Sequence, residues 1–327
     1  MAATVAAVRG LDYRPLTPAD RTEWARLLAV SFGRSQSQME QLLDWFHAGF
    51  ELVTMGAWAG ERLVAQYNCR LLELRVPGWS GPFPAGMGLN MAVDPDWRGR
   101  GLLRTVATPV HEEIIRRGRV AGVGFSSVGG LAVTKASDSY GYQVLGPMTS
   151  TVALITSRGR RGSADVLELS SAWPPGRFDP TWPDDDLIRY AVTPASLRHR
   201  FADHPFRRYV IGVWRDGQVI RGMTIHRPVR LRGIPSLGLL AAHAVPSDLD
   251  ALLRRWADAV VRRRPVVVHL VTSPSSSLRA AVRGLGPSTT VPVSRERYHL
   301  IARGLREDAP AALFDLDRWD ATGGDIL

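Results

Sequence analysis

The sequence predicts an α/β protein, more closely α+β, with two similar units in tandem, each a mixed and mostly antiparallel sheet flanked by helices. Three observations predict it. Segments of strand period alternate with segments of helix period along most of the chain. The length of 327 residues is comfortable for two domains. The second half repeats the order of elements in the first.

The elements follow in order. "DYRPLT" alternates like a strand, and "PADRTEWARLLAVSFG" opens with Pro18 and Asp20, places Trp24, Leu27 and Leu28 on one helical face, and stops at Gly33. Residues 36–48 repeat that pattern with Met39, Leu42, Leu43 and Phe46. "VTMGAWAGERLVAQYNCRLLELRV" reads as a hairpin turning at "AGER". "PGWSGPFPAG" is a loop and "MGLNMAVDP" a strand that stops at Asp94-Pro95. Leu102, Leu103, Val106, Val110, Ile114 and Ile115 then recur at helical spacing, with Pro109 inside the pattern and expected to bend it. "VAGVGFSS" is a buried strand, residues 131–140 a short helix, and "YQVLGP" and "STVALIT" are strands.

Residues 157–186, rich in Arg, Ser, Pro and Asp, read as a linker held to the surface by Trp173, Phe178 and Trp182. The expected domains are therefore 1–156 and 187–327. In the second, "PASLRHRFADHP" is helical and a hairpin turns at Asp216-Gly217. "LGLLAAHAVP" matches "MGLNMAVDP" in character, and "SDLDALLRRWADAVVRR", "PVVVHLVTS" and "PSSSLRAAVRGLG" read as helix, strand and helix.

Composition removes several function classes. The formal net charge is +10. Lys135 is the only lysine, however, and the arginines are dispersed rather than gathered into an aromatic-interleaved patch, which disfavours nucleic acid. Attraction toward phosphorylated or acidic small molecules is the milder inference. No run of 18 apolar residues predicts a membrane span, and the N-terminus does not read as a secretory signal. A single cysteine, Cys69, and scattered histidines predict a reduced, cytoplasmic protein with no metal.

The segment "VDPDWRGRGLLR", 93–104, carries the chemistry. A helix N-terminus leaves backbone N–H groups unpartnered and partly positive, so an anion placed there satisfies both. Glycine lets the backbone approach that anion, and arginine adds charge-assisted contacts to phosphate oxygens. Arg98-Gly99-Arg100-Gly101 after a strand and before an amphipathic helix is thus a pyrophosphate cradle, although the same residues also suit an exposed, solvated turn. No Gly-x-x-x-x-Gly-Lys-Ser/Thr or Gly-x-Gly-x-x-Gly pattern competes with it.

"VDPDWRGRGLLRTV" resembles motif A of the GNAT superfamily of N-acetyltransferases, Arg/Gln-x-x-Gly-x-Gly/Ala at a strand-loop-helix junction, with Arg98 and Gly101 in the first two places and Leu103 in the third. A large residue in the third place resembles the tandem acetyltransferases of the enhanced-intracellular-survival type. Those usually carry a further sterol-carrier-like domain, for which the roughly 37 residues after the second repeat are too few.

The resemblance implies an acyl-coenzyme A donor, most simply acetyl-CoA, with direct attack by the amine of a small molecule. It implies coenzyme contacts from Met91, Ala92 and Val93, from Arg98, Gly99, Arg100, Gly101, Leu102, Leu103 and Arg104, and from Ser126 and Ser127 on the facing strand. The side chains of Met91 and Val93 are expected in the core, the backbone near them polarising the thioester. "YGYQVLGP", 140–147, is similar to the family's acid motif at Tyr140, Gly141, Gly146 and Pro147. Tyr140 is thereby the implied proton donor, with Tyr142 and Ser137 as fallbacks and a packed helix-end tyrosine as the plain alternative.

The general base stays open among Asn90, Asp94, Glu73, Asp138, His111 and Leu327. Trp24, Trp45, Trp58 and Trp79 suit either an acceptor wall or a core. In the second repeat "AVPSDLDALL" replaces "VDPDWRGRGLL", and Asp248 and Asp250 would repel phosphate, so a single coenzyme site is expected. The competing class is a non-catalytic acyl-CoA-binding or scaffold protein. A homo-oligomer is compatible with either.

Overall fold

The computed structural model describes residues 10–126, 140–156, 167–178, 185–261, 264–292 and 298–326. The chain divides into two compact units. The first takes residues through Leu74, then Ser80–Leu145 and Leu300–Phe314; the second takes Arg75–Trp79, Gly146–His299 and the residues from Asp315 onward. Among the described residues no helix is long and apolar enough to cross a membrane.

The first unit begins with β1 (Asp12–Arg14), α1 (Arg21–Phe32) and α2 (Gln36–Gly49), and continues with β2 (Leu52–Ala59), β3 (Arg62–Arg75) and β4 (Phe83–Val93). Next come α3 (Leu102–Arg116), β5 (Ala121–Ser126) and β6 (Gln143–Pro147). Helix α1 follows a one-turn 3-10 segment capped by Thr17 and Asp20 and ends where Gly33 turns left-handed at φ 63°. Ser35 accepts from the Gln38 amide to start α2. Trp24, Leu27, Leu28, Met39 and Leu43 form one core against Trp58 and Leu63. Trp24 is 0% exposed and Trp45 and Trp58 are buried, so these tryptophans are core rather than acceptor wall.

Helix α3 runs through Pro109 without interruption. Leu102, Val106, Val110 and Ile114, four residues apart, are all buried against Ala65, Tyr67, Cys69 and Leu71 of β3. Burying such side chains contributes roughly 1.5–3 kcal/mol each, which fixes α3 to this face of the sheet.

The second unit comprises β7 (Thr149–Ile155), β8 (Glu168–Ser170), β9 (Arg189–Tyr190), α4 (Pro194–Leu197), β10 (Val210–Asp216), β11 (Val219–Leu231) and β12 (Ile234–Ala244). After these come α5 (Leu249–Val260), β13 (Val266–Thr272), α6 (Ser277–Arg283) and β14 (Ser288–Pro292); the last strand is β15 (His299–Gly304). The hairpin of β10 and β11 turns at Gly217, φ 59°.

The two sheets have parallel plans. One is ordered β1-β2-β3-β4-β5-β15-β6, the other β14-β7-β13-β12-β11-β10-β8. Each contains a parallel pair, β4/β5 or β12/β13, beside antiparallel neighbours.

This partition differs from contiguous domains 1–156 and 187–327 in four places, the first being Arg75–Trp79, which goes with the second unit. Strand β7 lies between β13 and β14 in the second sheet, and β15 lies in the first sheet between β5 and β6. Part of the expected linker is β8, paired with β10, and Phe178 belongs to the core of the second unit with Trp173 packed on it. Strand period identifies a strand but carries no information about which sheet accepts it. The helix expected over 131–140 lies, except for Tyr140, outside the described residues, as does Trp182.

Candidate functional site

Strands β4 and β5 pair only through Ala85, Gly86 and Met87 with Ala121, Gly122 and Val123. No rung between them is recorded past Met87 among the described residues. The strands therefore splay toward their carboxyl ends, the end at which α/β sheets expose backbone to ligands.

A bulge sits in the open part. Gln66 pairs with Ala92 and Asn68 with Leu89, so Asn90 and Met91 together oppose Tyr67. Asn90 takes the left-handed φ of 45°, and the fully buried Gln66 amide donates to its carbonyl. The bulge turns the Met91 side chain outward, 37% exposed, while Ala92 stays buried. The expectation that Met91 packs in the core is corrected: an extra residue shifts the alternation of faces.

After Val93 the chain makes a short 3-10 turn, Pro95–Trp97, whose cap is Asp94 accepting from the Asp96 amide. Gly99 and Gly101 both have left-handed φ, 78° and 74°, and open space where a Cβ would be. Glycine is thus required by conformation, not crowding. Helix α3 starts from Gly101 with no side-chain cap. Amides of Arg104 and Thr105 bond back to the Gly101 carbonyl, but those of Gly99, Arg100, Gly101, Leu102 and Leu103 have no hydrogen-bond acceptor among the described residues.

The arginines surround that loop. Arg98 Nε donates to the Val93 carbonyl at 3.4 Å; Arg100 stacks on Trp97 and donates to the Asp96 carbonyl at 3.2 Å. The result is a run of donors unpartnered among the described residues at a helix N-terminus, flanked by positive charge, which is chemistry suited to a phosphate or pyrophosphate.

Tyr140 is half-buried, packed against Tyr142 and Ile301. Burial pushes its phenol up to about 12, and the nearby Arg104 guanidinium opposes that. It is therefore protonated at neutral pH, as a proton donor must be. Ser126 is buried at the end of β5; Ser127, Ser137, Asp138 and Leu327 lie outside the described residues.

The base candidates separate clearly. Asp94 is 1% exposed, and Arg62 and Arg26 reach it at 2.9 and 3.3 Å. Burial works to raise its pKa, but these partners and the Asp96 amide outweigh it and hold the carboxyl below its usual range. It anchors the turn. Glu73 is exposed on β3, outside the splay. His111 is buried under the sheet, where burial and Arg303 bring its pKa down to about 4. Asn90 serves the bulge through its backbone.

The second unit builds the matching splay differently. Pairing of β12 with β13 also stops after three rungs, at Gly238 and His269. Here the chain's own segment 321–324 enters: the Gly323 amide donates to the Val271 carbonyl at 2.7 Å and the Gly324 amide to the Leu240 carbonyl at 2.9 Å. No glycine precedes α5, and Asp248 is tied to Arg221 at 2.8 Å. A cavity of about 230 Å³ adjoins that segment, lined by Arg200, Phe201, His243, Leu249 and Asp325 among others. Within its lining Arg189 is already paired with Asp185 at 2.6 Å and Asp320 at 3.0 Å, and none of the sequence-predicted site residues faces it. The signal for the plug, Gly323-Gly324 in a polar tail, was present in the sequence but has no periodicity to read.

The family described as "Acetyltransferase (GNAT) domain" matches residues 12–144. An uncharacterized N-acetyltransferase of Streptomyces griseus subsp. griseus is 35% identical over 100 residues, 30% of this chain and 24% of that protein. The chain thus spans about a quarter of the curated relatives it matches.

Among solved structures, a GCN5-related N-acetyltransferase from Anabaena variabilis aligns with TM-score 0.65 at 13% identity, over 90% of this chain and 73% of that one. Eis1 from Mycobacterium abscessus aligns with TM-score 0.62 at 16% identity, over 93% and 76%. At such identities these likenesses establish the fold across both units. Residues 12–144 thus match a GNAT acetyltransferase domain, within a chain whose fold is that of the aligned N-acetyltransferases.

Proposed function

We propose that the chain is an acyl-CoA-dependent N-acyltransferase, using acetyl-CoA to acylate a primary amine of a small molecule. The observation that carries this reading is the run of five amides from Gly99 to Leu103, unpartnered among the described residues, at the mouth of α3, beside a splayed parallel strand pair. On this reading those amides, with Arg98, Arg100 and Arg104, hold the pyrophosphate. The backbone of Met91, Ala92 and Val93, across from Ser126, lies along the pantetheine as an extra strand would, its N–H groups positioned to polarise the thioester oxygen.

The thioester supplies an activated acyl carbon: the amine nitrogen bonds to it, the carbon–sulfur bond breaks, and the thiolate departs. Tyr140 passes its proton to that sulfur and is reprotonated from solvent. The proton of the acylated nitrogen leaves to solvent, because the strand-end carboxylate Asp94 is held by two arginines. A reduced cytoplasmic setting follows from the lone Cys69.

Asp94's engagement also favours a second reading, in which the domain binds acyl-CoA without turnover. One experiment addresses both: mass spectrometry of the purified protein for bound coenzyme, followed by an amine panel with acetyl-CoA. Coenzyme bound and a product formed supports the enzyme. Coenzyme bound with no product across the panel supports the second reading, and absence of coenzyme affinity rejects both.

A further inference from the structure

The splay of the first unit has a floor, and its own strands contribute almost none of it. Gly86 and Gly88 lie on β4, Gly122 and Gly124 on β5. A Cβ at Gly86 would be 2.8 Å from Cys69 Sγ, and one at Gly88 would be 2.7 Å from Tyr67 Oη. At Gly122 it would collide with Tyr142 Oη, and at Gly124 it would touch Ile301. Side chains from β3, β15 and the residue preceding β6 therefore occupy the space that glycine leaves at the apex, where the ladder ends.

Two of these groups are hydroxyls in an otherwise apolar core. Tyr67 and Tyr142 are 3% and 4% exposed. Burying a hydroxyl without a partner costs roughly 1–3 kcal/mol, so each calls for an explanation. Tyr67 Oη lies 3.4 Å from His111 Nε2, and Arg303 Nη1 lies 3.2 Å from His111 Nδ1. Arginine only donates, so Nδ1 accepts. The neutral ring then carries its proton on Nε2 and donates it to Tyr67, whose own proton is free to turn elsewhere. Tyr142 Oη lies beside Tyr67 Oη and is the group toward which that proton turns, while the Tyr142 proton itself meets no acceptor among the described residues. The apex thus ends in a pair of adjoining hydroxyls with one proton left without an acceptor among the described residues.

Resting on the reading that this splay takes an acyl thioester, we infer that the Tyr67 and Tyr142 hydroxyls form the closed, polar end of the acyl pocket and limit the transferred group to short chains. His111 and Arg303 are positioning residues that hold the Tyr67 hydroxyl in place. A two-carbon acyl group stops short of the hydroxyls. A longer apolar chain has to displace packed rings and lay methylenes against polar atoms that gain no partner, and a close-packed core does not yield that volume cheaply.

Binding tests this without knowledge of the acceptor. Coenzyme A, acetyl-CoA, butanoyl-CoA and octanoyl-CoA are titrated calorimetrically into the wild-type chain and into Tyr67→Ala, Tyr142→Ala, Tyr67→Phe and His111→Phe, each checked for folding by circular dichroism. For the wild type, octanoyl-CoA is expected to bind about tenfold or more weakly than acetyl-CoA, a difference of about 1.4 kcal/mol. In either alanine variant the gap narrows to about threefold or less, by the volume released. Tyr67→Phe, which removes the hydroxyl, and His111→Phe, which releases it, narrow the gap partway.

If the alanine variants do not fold, the two phenylalanine variants carry the test. Octanoyl-CoA binding the wild type as tightly as acetyl-CoA would overturn the inference, as would a gap unchanged in every folded variant. Failure of coenzyme A itself to bind would overturn the coenzyme reading, and this inference with it.

Discussion

The two parallel strand pairs begin alike and finish differently. Both β4/β5 and β12/β13 hold three rungs and then part. Past β4 the chain turns on Gly99 and Gly101, leaves five amides without acceptors among the described residues, and surrounds them with arginine. Past β12 it has no glycine and an Asp248–Arg221 pair, and the gap is spanned by the amides of Gly323 and Gly324. A splayed pair leaves backbone groups that must be satisfied. One unit satisfies them with its own segment 321–324, and the other, on the proposed reading, with the coenzyme. The same local fault in a sheet becomes a site or a piece of core according to what the flanking sequence offers it.

That contrast can be broken in order of expected effect. The largest concerns turnover in the first unit. Tyr140→Phe, with acetyl-CoA and a working acceptor, is expected to lower kcat by about 100- to 10,000-fold, the usual worth of a positioned proton donor, with unchanged coenzyme affinity. Retained kcat would move the acid elsewhere. Next is the loop. Arg98→Ala with Arg100→Ala removes two charge-assisted contacts worth about 1.5–3 kcal/mol each, so the dissociation constant for coenzyme A should rise at least about 100-fold while the circular dichroism spectrum is kept. Gly101→Val acts in the same direction, because a β-branched residue resists a φ of 74°. The matching change in the second unit, Asp248→Ala, should leave coenzyme binding untouched. Calorimetry reads all three, and loop variants of wild-type affinity would sink the contrast.

The third prediction concerns the plug. A Cβ at Gly324 would lie 2.9 Å from the Leu240 carbonyl and 3.2 Å from Ala241 Cβ. Gly324→Val should therefore lower stability by about 1–3 kcal/mol through overpacking, read as a fall in Tm. Coenzyme stoichiometry should stay at one per chain. A second equivalent appearing in this variant would show that the second splay is a blocked site.

The smallest effect is on pH. His111 in the first unit and His226 and His204 in the second all have folded pKa values of about 4, against an ordinary value of 6.5, chiefly through burial. For a base held neutral in the folded state the sign is fixed: above pH 6.5 neither state is charged, and as pH falls from 6.5 toward 4 the unfolded chain takes up protons that the folded one refuses. Tm should decline across that window, and His111→Phe should flatten the decline by one residue's share. A Tm independent of pH between 6.5 and 4 would contradict the buried, neutral assignment.

Particular residues show where the sequence was legible. Leu102, Val106, Val110 and Ile114 announced α3 through their spacing, and the Arg98–Gly101 segment announced its loop through residue chemistry that operates locally. Trp24 did not reveal that it was core, because an indole suits a wall or an interior equally until its neighbours are known. Met91 was misplaced because a bulge shifts the alternation by one, and the bulge depends on Gln66 from another strand. Asp94 read as a possible base until Arg26 and Arg62, 68 and 32 residues away, were found to hold it.

The sequence by itself determined the α/β class, the tandem order of elements, the glycine-arginine loop and its helix, and the lack of that loop in the second half. These depend on period, turn chemistry and charge within a few residues. Tertiary structure alone decided that β7 completes the second sheet and β15 the first, that segment 321–324 closes one splay, and that Tyr67, His111, Tyr142 and Arg303 meet beneath the other. Those are pairings across as many as 192 residues, and a strand's free hydrogen-bonding edge is satisfied equally well by any partner that the global packing delivers to it.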